Sequence, residues 1–190
     1  MCSSDLVTVN ASVTNAPSSV TVNSTKSLTF GASGALTATT VTNNGSIVMT
    51  AGGTLTIASG GTLANGSSTF TRGSGTVAFA GSGTVTGTIG FNDVTLAGGV
   101  NFGTASTING ILTINSGGYA NTNAPIYASG STLKYSTGGG YGRGTEWSTT
   151  AGAGYPHHVQ ISTSGTILSL GANSGRSEEH TSELQSPCNL

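Results

Sequence analysis

Charge is what this chain has least of. Aspartate, glutamate, lysine and arginine make up 6% of its 190 residues and leave a formal net charge of −1. Binding a nucleic-acid backbone takes a concentrated basic face, and paired-carboxylate catalysis takes two acids within reach of each other. Between residues 7 and 175, only Lys26, Arg72, Lys134 and Arg143 stand against Asp93 and Glu146, a scattered +2 that suits neither. No nucleic-acid partner is expected. Lysine and glutamate are too rare, and the 31 glycines too frequent, for any long run of good helix formers. No apolar run approaches the ~20 residues that span a bilayer, so membrane insertion of this stretch is not expected. Cysteine occurs only as Cys2 and Cys188, at opposite ends. The body of the chain therefore has no disulfide framework, thiol chemistry or cysteine metal site.

What is present is a rhythm. Residues 45–66 read GSIVMTAGGTLTIASGGTLANG, with Ile47, Leu55 and Leu63 eight positions apart. Between the apolar cores stand Ala51-Gly52-Gly53 and Ser59-Gly60-Gly61, each followed by Thr-Leu. Short Thr/Val/Ile/Leu runs broken by glycine pairs read as brief strands joined by tight bends. A fixed short step reads as stacked repeats in which each bend turns the chain on to a new face. The same style runs through Ser27-Leu28-Thr29-Phe30, the run from Ala35 to Thr42, and on to Ile111-Leu112-Thr113-Ile114. Phe70, Val77, Val85, Val94 and Phe102 fall at steps of seven to nine.

The expected class is all-β, built as a right-handed parallel β-helix or solenoid with Thr/Val-rich strands and glycine-rich corners. Alternation of Thr with an apolar residue gives each strand one wetted and one buried side. Strands this short suit coils that pair with the coils above and below. With roughly 22 to 24 residues per coil, about seven coils would make a rod on the order of 35 Å long. Equivalent Asn and Thr positions could then ladder their hydrogen bonds along it. The alternative is a β-sandwich, which also has short strands and frequent turns. Its hairpins would favour Asn-Gly or Asp-Gly loops, whereas the joints inside the 45–66 repeat are Gly-Gly-Thr.

The two ends differ from the body. Met1 to Leu6 and Arg176 to Ser186 resemble translated short-read sequencing adapter, the latter residue for residue over RSEEHTSELQS. Residues 1–6 and 176–190 are accordingly set aside as adapter-derived, and the rest is expected to be an internal piece of something longer. Within it, residues 7–135 read as solenoid repeats, 136–156 as an irregular glycine-rich loop, and 157–175 as final strands of the same domain. A loop of this length is either functional or a protrusion from the rod.

The loop holds most of the distinctive chemistry. Ser131-Thr132-Leu133-Lys134-Tyr135, Tyr141-Gly142-Arg143-Gly144, Glu146-Trp147-Ser148, Gly154-Tyr155-Pro156 and His158-Val159-Gln160-Ile161 together resemble repeat regions of large secreted or surface proteins of Bacteroidetes-type bacteria. The upstream AGGTLTIASGGTL, residues 51–63, also resembles autotransporter and adhesin passengers. The resemblance implies an extracellular or cell-surface repeat protein with no established activity. The partner expected for such a chain is an extracellular glycan or a surface protein.

Two readings of the loop stay open. In one, Trp147, Tyr141, Arg143, Glu146 and Tyr155 form a sugar platform: aromatic faces stack on pyranose C–H groups while Arg and Glu bond hydroxyls. In the other they form a clasp, with Arg143 paired to Glu146 and Trp147 plugging the rod, as suits a residue usually buried. No catalytic constellation is found. Asp93 and Glu146 are 53 positions apart. His157 and His158, adjacent in extended chain, point to opposite faces and lack a third ligand. Neither a metal nor a cofactor is expected, and the function read from the sequence is non-catalytic, with a carbohydrate module on Trp147 as the alternative. Thr-x-Thr pairs such as Thr54 with Thr56 also raise an ice-binding face, against which the drifting spacing counts.

Overall fold

The computed structural model describes residues 6–15 and 17–170; both cysteines and the adapter-like ends, apart from Leu6, lie outside them. The described chain is all-β, and its parallel strands stack as a β-solenoid of about six turns. Every ladder between named strands is parallel, so the sandwich alternative is excluded.

Three sides make each coil. The first begins at residues 35–38 of the strand Ala35–Asn43 and continues through residues 54–57, Thr76–Phe79, Asp93–Leu96, Ile111–Asn115, Thr132–Ser136 and His158–Ile161. The second runs from Ser19–Val22 through residues 40–43 and 61–65, Gly83–Gly87 and Gly99–Asn101 to Tyr119–Ala120. The third is split into two sheets. Leu6–Val9, Ser27–Phe30, Ser46–Val48 and Thr69–Thr71 form one, and the two-residue strands Gly90–Phe91, Thr107–Ile108 and Ile126–Tyr127 the other. Ile47, Leu55 and Leu63 thus lie on three successive sides, and the eight-residue step is the distance from one side to the next.

The coils are less regular than that step suggests. Ala35 pairs with Thr54, nineteen positions on, but Thr76 with Asp93 after seventeen and Thr132 with His158 after twenty-six. Inward residues stay in register while corners absorb the difference, because a parallel ladder fixes strands and leaves the corner free to bulge. Leu36, Leu55, Val77, Val94, Leu112 and Leu133 make one buried column. Ala38, Ile57, Phe79, Leu96, Ile114 and Tyr135 make the next. Across the interior, Phe70–Phe91, Phe91–Phe102 and Phe79–Phe102 meet edge to face with centroids 5.9, 6.2 and 6.5 Å apart, tying the three sides together.

Asparagines hold the corner after the second side. Asn43 and Asn65 are register partners, both buried, and Asn43 Nδ2 donates to Asn65 Oδ1 at 2.7 Å. Asn65 Nδ2 donates to the carbonyls of Ser68 and Thr88 at 3.1 and 2.9 Å. Two coils further, Asn123 Nδ2 donates to Asn101 Oδ1 at 3.1 Å. Gly87 completes the stack below Asn65; its φ is +79°, and a Cβ there would stand 1.6 Å from the Asn65 carbonyl oxygen.

Candidate functional site

The 136–156 segment leaves the solenoid after Thr132–Ser136 and is not wholly irregular. Gly140–Gly142 forms a strand that pairs in parallel with Ile167–Ser169, and the Arg143 amide extends that ladder to the Ser169 carbonyl at 3.0 Å. The chain then folds back over the corner between the second and third sides. Thr145 Oγ1 donates to the Ala120 carbonyl at 2.7 Å, the Gly154 amide to the Pro125 carbonyl at 2.8 Å, and Ala153 bridges Ile126.

Glu146 is the anchor, fully buried. Its Oε1 accepts from Tyr135 Oη at 3.2 Å and from the Gly144 amide at 2.8 Å, while its carbonyl accepts from Tyr127 Oη at 2.9 Å. Gly144 is required by close approach, since a Cβ there would stand 2.6 Å from Glu146 Oε2. Tyr135 packs against Tyr141 with centroids 5.2 Å apart and stacks on Trp147 at 6.3 Å. Burial first, and then the Glu146 carboxylate, push the phenols of Tyr127, Tyr135 and Tyr141 well above their ordinary range. The carboxylate also neighbours Tyr141 closely, yet Tyr141 Oη and Glu146 Oε2 are each buried without an aligned hydrogen bond.

The expected clasp is therefore present with different partners. Among the described residues no ion pair joins Arg143 to Glu146; neutral tyrosine hydroxyls and a backbone amide take the guanidinium's place. Desolvating phenols costs far less than burying a second charge. Trp147 is half-buried against the core. Tyr155 follows Gly154, its amide bonded to the Gly152 carbonyl at 3.2 Å, and is likewise half-buried.

Beside this cluster runs a groove of about 480 Å³. One wall is Gly103, Thr104 and residues 122–124; the other is Gly144, Thr145, Trp147, Ser148 and Ala153. Of the five residues singled out in the sequence, only Trp147 lines it. Glu146 lies buried beneath, and Tyr141, Arg143 and Tyr155 stand outside its lining. Sequence reasoning missed Tyr127 and Tyr135 as partners of Glu146, and Thr104, Thr122 and Asn123 as groove walls. A signal existed for Tyr135: its spacing from Leu133 turns it inward, and a buried phenol needs an acceptor. None existed for the walls, which come from corners of three different coils.

Asp93 is engaged elsewhere, its Oδ1 accepting the Ile111 amide at 2.7 Å on the first side. His157 and His158 are exposed. Among the described residues no three His, Cys, Asp or Glu side chains group as metal ligands, and no helix is long and apolar enough to cross a membrane. Compared with protein-family models, curated proteins and solved structures, the chain has no match, so the reading of this site rests on its own geometry.

Proposed function

We propose that the chain is a non-catalytic segment of a secreted or cell-surface bacterial repeat protein, serving as a structural, adhesin-like rod. The observation that carries this reading is the fate of the two acids among the described residues. Asp93 braces the neighbouring coil through the Ile111 amide, and Glu146 is buried under tyrosines. The two sit in separate parts of the fold, Asp93 half-buried on the first side and Glu146 buried beneath the 136–156 segment. The charge-poor Thr-rich exterior and the likeness of the 131–161 motifs to surface repeat proteins support the location. Antibody against the purified chain should label intact, unpermeabilised cells of the organism that encodes it; labelling only after lysis contradicts the surface reading. Incubated with a panel of polysaccharides, the chain should release no reducing or unsaturated sugar ends. Release that Glu146→Gln abolishes would contradict the non-catalytic one.

A further inference from the structure

We propose that the groove between Trp147 and the corners at 103–104 and 122–124 binds a neutral oligosaccharide. This goes beyond the rod reading, from which it borrows only exposure to extracellular glycans. Its volume of about 480 Å³ falls within the roughly 300–1,000 Å³ of small-molecule sites, room for a short sugar segment.

The lining chemistry selects the ligand class. No charged residue lines the groove. Its polar groups are the hydroxyls of Thr104, Thr122, Thr145 and Ser148 and the Asn123 amide. Thr122, Thr145 and Ser148 donate their protons to Asn121 Oδ1 and to the Ala120 and Thr150 carbonyls, so they meet sugar hydroxyls as acceptors, without desolvating a charge. Trp147 supplies the apolar surface. Tyr135 stacks behind it at an interplanar angle of 30°, which fixes the indole, and the half-buried ring borders the groove. A fixed aromatic face beside a row of hydroxyls matches a pyranose, which has a C–H face and a hydroxylated edge.

The backbone at Thr122 adds an independent observation. Its φ is +65°, and the Asn123 amide donates to the Asn121 carbonyl at 2.7 Å across it. This is a γ-turn of the strained hand, centred on a β-branched residue. Thr25 also has a positive φ, +67°, but within a four-residue turn closed by the Lys26 amide on the Asn23 carbonyl; at Thr122 the strain falls on a groove wall. The turn lets Asn123 reach Asn101 while Thr122 lines the groove. Strain of this kind persists where surrounding structure over-determines it, and it clusters at binding sites.

Trp147 is the only tryptophan in the 190 residues, so its emission reports directly on the groove. The test titrates the full chain with neutral trisaccharides (gluco-, xylo-, manno- and N-acetylglucosamine series) and with uronate trisaccharides as charged controls, followed by fluorescence and calorimetry. At least one neutral sugar should shift the emission saturably. Calorimetric affinity should fall about tenfold or more in Trp147→Ala, as for a central aromatic contact. Because Trp147→Ala could disturb Tyr135, Thr122→Gly provides the second variant. Glycine relaxes the positive φ, so the fold should hold while affinity falls several-fold. No response to any neutral sugar, a response confined to uronates, or binding that survives both substitutions overturns the proposal. None of these results depends on where the protein resides, so this site and the surface reading fail separately.

Discussion

Replacing Asn65 by alanine should strike the rod where two coils are pinned together. Asn65 is 3% exposed and makes three hydrogen bonds: it accepts from Asn43 and donates to the carbonyls of Ser68 and Thr88. Alanine removes all three and cannot reach any of the groups left behind. At about 1 kcal/mol net for each bond, the loss is about 3 kcal/mol. Asn43→Ala overlaps the same loss, so a double-mutant cycle should give a coupling of about 1 kcal/mol between the two positions. The assay is urea unfolding followed by far-ultraviolet circular dichroism and by Trp147 emission in parallel. A solenoid's stability is a sum of coil and interface terms, and Trp147 lies several coils away. The circular dichroism transition should therefore move to lower urea further than the tryptophan transition. A cost below about 0.5 kcal/mol, or additivity of the two alanines, would refute the ladder.

Glycines in the repeat should divide by what lies over them. Gly60→Ala has open space around it and bears only the cost of its positive φ, about 1 kcal/mol, whereas Gly87→Ala also collides with the Asn65 carbonyl and should cost about 4 kcal/mol; chemical denaturation measures both. Arg143→Ala should change stability by less than about 0.5 kcal/mol in the same assay, since tyrosines rather than the guanidinium hold Glu146. Stability should also fall in alkali. Tyr127 and Tyr135 have phenols raised by burial in the folded state, so the unfolded chain ionises first and stability, fully present below about pH 10, drops above it. The slope from these two approaches about 2.7 kcal/mol per pH unit once the unfolded phenols are ionised, above about pH 11, with a smaller share from half-exposed Tyr141. Tyr135→Phe should roughly halve the slope measured by urea unfolding between pH 10 and 11.

The architecture was legible because a solenoid repeats its logic in the sequence. Ile47, Leu55 and Leu63 declare the step, and the Gly-Gly-Thr joints declare the corners. Where a side shrinks to two residues, the signal drops out. Phe91, fully buried on the third side, is flanked by Gly90, Asn92 and Asp93, which read as a turn, so the anchors were traced from Val85 straight to Val94. Corner length was equally hidden: register steps on the first side run from seventeen residues to twenty-six, where equal coils of 22 to 24 were expected. The site was legible only in part. Trp147 and Glu146 announce themselves in a chain so poor in aromatics and acids, but the partners of Glu146 depend on which tyrosines the coils bring beneath it. Tyr127, nineteen positions upstream, carries no local mark of that role.

Coils stack in parallel and in register along one axis, and spin-label distances along an outward column report that stacking. Thr37, Thr95, Thr113, Lys134 and Gln160 occupy one outward column of the first side, with Thr56 and Ala78 between the first two. With Cys2 and Cys188 changed to serine, a label at Thr37→Cys is paired in turn with one at Thr95→Cys, Thr113→Cys, Lys134→Cys and Gln160→Cys. The account predicts label separations that lengthen by about 4.8 Å per coil, near 14, 19, 24 and 29 Å before linker spread. Distances that fail to rise in that order, or that return to short values for Lys134 or Gln160, would contradict it.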